Sequence, residues 1–211
     1  MSLPRLDRRL LLIGALTLAS APAAAQTTAQ SADRRPRQGG RLAARRGAAA
    51  SNIPPARSLS YGTDPLQAVD LYADPGSGPI LMFVHGGGWS RGDRRMVNAL
   101  PDYATRHGLT LASTGYRLAP AVTAREAALD VAAAVGALNR ALPGRPIFLV
   151  GHSAGAHLAA LVGVDPAYLG AAAMKPSDLG GVILLDGAGY DATGPRGPGV
   201  VGRALDAMYD Q

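Results

Sequence analysis

The chain contains no cysteine. That excludes disulfides, thiolate zinc sites and a cysteine nucleophile, and it leaves the compartment open, since exported proteins need not carry disulfides. Histidine is scarce: the four residues are not grouped with carboxylates at ligand spacing, so neither a metal nor another cofactor is expected. The apolar run Leu10–Ala19 is too short to cross about 30 Å of hydrocarbon as a permanent anchor, so no stable membrane anchor is expected. Against these absences stands a hydrophobic content of 47% in 211 residues, enough for one packed domain with or without a tail.

The net charge of +6 is unevenly spread. Residues 1–25 carry +2 and residues 26–57 carry +6, whereas 58–211 carry −2. The basic character therefore lies outside the folding part, and no groove for a nucleic-acid backbone is expected there. Arg5, Arg8 and Arg9 precede the apolar run, and Ala23-Ala24-Ala25 follows it. This is the layout of a secretory signal cleaved near Ala25, giving a periplasmic or secreted product. Arg8-Arg9 before Leu10-Leu11 suits twin-arginine and ordinary export alike. Residues 26–57 are rich in Ala, Arg, Gln, Ser and Pro without apolar periodicity, and read as a disordered basic linker. The domain is expected over 58–211.

That segment alternates two periodicities. Ala68–Tyr72, Ile80–Val84, Leu109–Ser113, Ile147–Val150 and Val182–Leu185 read as strands, most of them buried on both faces. Arg94–Arg106 reads as a helix that Pro101 would kink, with Gly108 as its stop. Thr123 and Glu126 form a capping-box pair opening a helix that runs through Leu142 to Pro143-Gly144. A helix from Ala154 to about Gly163 ends at Asp165-Pro166, and a short one is expected around Gly202–Tyr209. Apolar strands alternating with amphipathic helices predict an α/β fold around a mostly parallel sheet.

Two stretches carry chemistry. Gly151-His152-Ser153-Ala154-Gly155 follows one buried strand and precedes a helix, the setting a nucleophile elbow needs. Gly151 and Gly155 let strand and helix meet in a sharp turn that lifts Ser153 above the sheet at a helix N-terminus. A serine that merely caps a helix is the alternative. His85-Gly86-Gly87-Gly88-Trp89 follows another buried strand. Its backbone N–H groups can face a ligand without side-chain obstruction, as an oxyanion hole requires, and the favoured donors are Gly87, Gly88 and Ala154. A flexible turn is the alternative; a phosphate loop would want a lysine and a helix start that are missing. Trp89 either lines the site or packs beneath the loop.

With these motifs the chain resembles the α/β-hydrolase superfamily, specifically the esterase/lipase group with an H-G-G-G-W loop, near its hormone-sensitive-lipase-like, feruloyl-esterase-like and kynurenine-formamidase-like members. The stretch from Gly151 to Ala160, the turn Tyr116-Arg117-Leu118-Ala119-Pro120 and the strand Val69-Asp70-Leu71-Tyr72 carry the likeness, over about residues 60–190. It implies a three-layer sandwich and an acyl-enzyme route on Ser153 with a small-molecule ester as substrate. It also implies a later acid and a later histidine, in that order. No histidine follows His157, and the chain ends 58 residues after Ser153. The sheet is therefore expected to lack its last strands, leaving an apolar edge open to self-association. His157, His85, His152 and His107 are each poorly placed as the base, and Asp186, Asp191, Asp206 and Asp210 are not assignable as the acid. Three readings remain: an exported ester hydrolase, a truncated and inactive hydrolase-like fragment, or a non-enzymatic binding module.

Overall fold

The apolar run Ile80–Val84 sends Ile80, Met82 and Val84 into one hydrophobic cluster and Phe83 into another. A strand with both faces buried must have a layer on each side. The computed structural model of the chain describes residues 53–187 and 190, and shows those layers around a six-stranded sheet.

The elements in chain order are β1 (Arg57–Ser60), β2 (Ala68–Ala73), β3 (Ile80–Val84), α1 (Leu100–Arg106), β4 (Thr110–Thr114), α2 (Ala124–Ala141), β5 (Ile147–His152), α3 (Ala154–Val164), α4 (Pro166–Gly170) and β6 (Leu179–Leu185). The strands lie in the order β1-β2-β4-β3-β5-β6. β4, β3, β5 and β6 run parallel, while β2 is antiparallel to both β1 and β4. Side chains of α2, α3 and α4 build the larger core on one face, and α1 with Val97 covers the other. Among the described residues no helix is long and apolar enough to cross a membrane.

Several boundaries follow local chemistry visible in the sequence. The Thr123 hydroxyl accepts from the Glu126 N–H, and the Glu126 carboxylate accepts from the Thr123 N–H at 2.8 Å, so α2 begins where the capping box puts it. Gly108 stops α1 at φ 63.

Others differ from expectation. α1 starts at Leu100 rather than Arg94, because residues 93–100 form separate turns, with the Met96 N–H donating to the Asp93 carbonyl at 3.0 Å and the Leu100 N–H to that of Val97 at 2.9 Å, and side chains fix them. Asp93 accepts from the Arg95 N–H at 2.8 Å, Arg94 pairs with the buried Asp70 at 3.0 Å, and Asn98 turns the backbone at φ 47. Pro101 consequently falls in the first turn, where it costs no helical hydrogen bond, and no interior kink arises. β1 begins at Arg57, inside the segment read as a linker; Leu59 packs against the main core and Arg57 pairs with Leu71. β6 begins three residues before the expected Val182, since Gly180 and Gly181 hid it. A Cβ on Gly180 would lie 2.8 Å from the Phe148 ring, so glycine makes room for that side chain. Beyond β6 no described strand pairs, and Ile183 and Leu185 are exposed. The expected signal, residues 26–52 of the linker and the helix near 202–209 lie outside the described residues.

Candidate functional site

β3 and β5 are parallel neighbours, and their register sets Val84 opposite Gly151. The segments that follow, His85–Trp89 and His152–Ser153, therefore leave adjacent strand ends on the same edge of the sheet. Two motifs that begin 66 residues apart in sequence, at His85 and Gly151, are thus brought together by strand pairing.

Ser153 stands between β5 and α3 with φ 52 and ψ −119. A non-glycine residue holds such a conformation only at a cost of about 1–3 kcal/mol that its surroundings must offset. Here the Ser153 N–H donates to the Leu185 carbonyl at 2.9 Å, and its carbonyl accepts from Ala156 at 2.9 Å. The flanking glycines make the turn sterically feasible. A Cβ on Gly151 would overlap the Gly155 carbonyl and stand 2.6 Å from the Ala156 Cα. A Cβ on Gly155 would meet the Val84 and His85 carbonyls. The helix start thus lies directly on the end of β3.

The glycine segment presses on the same turn. A Cβ on Gly86 would be 3.1 Å from the Ser153 Cβ and 2.9 Å from the His152 carbonyl. Gly87 has φ 132 and Gly88 φ 59, backbone shapes that a side chain would strain. None of the N–H groups of Gly87, Gly88 and Ala154 donates to another described backbone group. Gly92, at φ 116, sits so close to Gly86 and His85 that a side chain there would collide with both.

His85 is buried, stacks on Tyr116 at 4.4 Å between ring centroids, and holds Nδ1 2.8 Å from the Gly86 carbonyl. A carbonyl only accepts, so Nδ1 carries the proton. Burial, the largest influence, lowers its pKa from the usual histidine value. Trp89 is 1% exposed and donates Nε1–H to His157 Nδ1 at 3.2 Å, so it packs beneath the loop rather than lining an open site. His157 is buried too; burial pulls its pKa down to about 4 and the ring stays neutral. His152 is exposed, and His107 caps α1 beside the Tyr103 ring. No hydrogen bond joins the Ser153 hydroxyl to any of these rings.

The turn 116–120, matched by resemblance alone, turns out to brace the glycine segment. The Tyr116 hydroxyl donates to the His85 carbonyl at 2.9 Å, and the Ala119 N–H donates to the Trp89 carbonyl at 3.0 Å. Arg117 ties this turn to α2 through the buried Asp130, to which Nε and Nη2 each donate at 2.8 Å. Asp130 also accepts from the Gln67 side chain at 2.8 Å. The partner 13 residues on was missed; a charged residue on the apolar face of α2 was its only trace. Among the described residues no group of three or more His, Asp or Glu is placed to hold a metal ion.

Residues 81–195, more than half of the chain, match a family described as alpha/beta hydrolase fold. Over 104 residues the chain is 36% identical to the kynurenine formamidase of Meyerozyma guilliermondii, covering 48% of this chain and 40% of that protein. It is 32% identical over 112 residues to the isoprenylcysteine alpha-carbonyl methylesterase ICME of Arabidopsis thaliana, covering 49% of this chain and 26% of that one. The chain therefore spans less than half the length of these curated relatives. The crystal structure of esterase B from Lactobacillus rhamnosis superposes with a TM-score of 0.59 at 25% identity, over 74% of this chain and 56% of that one.

Proposed function

The chain belongs to the α/β-hydrolase fold family, and from that membership we propose that it is a carboxylic ester hydrolase reacting through an acyl-enzyme on Ser153. The observation that carries the proposal is the strained Ser153 turn packed against the glycine segment, with N–H groups at Gly87, Gly88 and Ala154 that donate to no described backbone group. Relatives bearing the names methylesterase and esterase support the ester class.

In this reading the Ser153 Oγ bonds to the ester carbonyl carbon and passes its proton to a base. Negative charge moves onto the former carbonyl oxygen, where the N–H groups of Gly87, Gly88 and Ala154 stabilise it. Each such donor contributes roughly 3–4 kcal/mol in a site closed to water. Collapse breaks the bond to the alcohol oxygen, which takes the proton from the base, and leaves the acyl group on Oγ; water then gives a proton to the base and attacks the acyl carbon, and the carboxylic acid leaves as Oγ recovers its proton. The positive end of α3 adds a favourable field at the same oxygen. His85 and Gly86 shape the loop, Trp89 underpins it, and Gly151 and Gly155 allow the turn.

A second reading, a hydrolase-like chain that is silent without a base from elsewhere, is favoured by one observation. The Nδ1 atoms of His85 and His157 are already engaged by Gly86 and Trp89, and neither ring bonds Ser153. Labelling by a fluorophosphonate probe and hydrolysis of p-nitrophenyl butyrate decide between them. Both reactions above the level of Ser153→Ala support the hydrolase; turnover equal to that variant refutes it for this chain. Export, proposed from the Arg5–Ala25 layout, predicts a product beginning at Gln26 in the periplasm or medium; an uncleaved chain retained in the cytoplasm would refute it.

A further inference from the structure

The glycine segment offers few handles of its own. Gly86, Gly87 and Gly88 have no side chains, so the segment is held through the residues at its two ends, His85 and Trp89. His85 is secured by its stack on Tyr116 and by the Tyr116 hydroxyl on its carbonyl. Trp89 is secured differently. It lies at φ 58, a left-handed backbone that a bulky residue keeps only when its surroundings hold it there. The Ala119 N–H holds its carbonyl, and the indole is buried with Nε1–H donating to His157 Nδ1 at 3.2 Å. The two rings meet edge to face at 5.6 Å and 87°. His157 belongs to α3, one turn after Ser153. The bond therefore links the glycine segment to the helix that carries the serine and the Ala154 N–H.

An indole N–H only donates, so His157 Nδ1 must hold a lone pair and the ring is the Nε2–H tautomer. A neutral buried ring keeps that lone pair available. We propose that His157 is a positioning residue: through Nδ1 it anchors Trp89 and so keeps the Gly86–Gly88 amides registered on Ser153. The proposal rests on the reading of those amides as the oxyanion site. It assigns His157 a task incompatible with serving at Nδ1 as the base.

Trp89 is the one tryptophan of the chain, which makes the test specific. The full chain gives a single indole N–H resonance, whose exchange with water is followed by NMR, alongside the rate of Ser153 labelling by a fluorophosphonate. The variants are His157→Phe, which keeps an aromatic ring without an acceptor, and His157→Asn, whose Oδ1 falls where Nδ1 was. The expected result is a protected indole N–H in the wild type, faster exchange in His157→Phe, and recovery in His157→Asn. Labelling slows about 5- to 30-fold in His157→Phe, as for the loss of one buried hydrogen bond, and recovers in His157→Asn. An unprotected indole N–H in the wild type overturns the proposal, and does so even if neither variant folds. So does unchanged exchange and labelling in His157→Phe, or a His157→Asn variant no better than His157→Phe. Wild-type labelling equal to that of Ser153→Ala, with the indole pattern as expected, supports the anchor and sinks the hydrolytic reading instead.

Discussion

Gly155 is the second residue of α3, and alanine there should stabilise the helix by about 0.5–1 kcal/mol on propensity alone. The structure reverses that sign. The added Cβ would stand 2.5 Å from the His85 carbonyl oxygen and closer still to that of Val84. Both are backbone atoms at the end of β3, which is paired on both edges with β4 and β5, so neither can swing aside. Forcing a methyl into a packed site costs about 1–3 kcal/mol, and rigid backbone neighbours place this case near the top of that range. A net loss of about 2 kcal/mol is therefore expected, measured by urea denaturation. Relief requires α3 to retreat from β3, taking Ser153 away from Gly86. A displacement approaching 1 Å should slow fluorophosphonate labelling by about 10- to 100-fold. Gly170→Ala is the control: at the end of α4 its Cβ would meet nothing within 4 Å, and stability should hold or rise by about 0.5 kcal/mol. If Gly155→Ala proves as stable and as reactive as the wild type, the account of the elbow as a backbone-on-backbone contact is wrong.

Ser153→Gly should relieve the φ 52 backbone and stabilise the chain by about 1 kcal/mol while abolishing labelling; a destabilised variant would mean the turn stores no strain. Tyr116→Phe removes the buried donor to the His85 carbonyl, and should cost about 1–3 kcal/mol in denaturation and slow labelling; no loss would show that the turn 116–120 does not brace the loop. His157 contributes a pH dependence through burial: its pKa falls from 6.5 to about 4, so between those values the unfolded chain binds more protons than the folded one. Its contribution is present in full above about pH 6.5 and is lost as pH falls towards 4, by on the order of 3 kcal/mol. Denaturation curves of the wild type and His157→Asn between pH 7 and 4.5 should diverge by this amount; parallel curves would contradict it.

Sequence patterns alone located the buried strands, the capped start of α2, the serine turn and the glycine segment. They did so because each depends on near neighbours: apolar runs of strand length, a Thr–Glu pair three apart, glycines flanking a serine. Strand pairing in the folded chain decided what local signals do not contain. The β1-β2-β4-β3-β5-β6 order put Gly86 against Ser153, and a short polar strand such as Arg57–Ser60 became visible only through its partner Leu71 side by side with it. The start of α1 was misread because the Arg94–Asp70 pair and the Asp93 turn compete with helical periodicity, and Asp70 lies on another strand. Trp89 facing His157, Tyr116 reaching His85 and Arg117 gripping Asp130 are contacts between side chains whose positions depend on how β-strands and helices are stacked. Sequence spacing carries no record of that stacking, which is why the strand–serine–helix turn could be found from the sequence and the side chains packed around it could not.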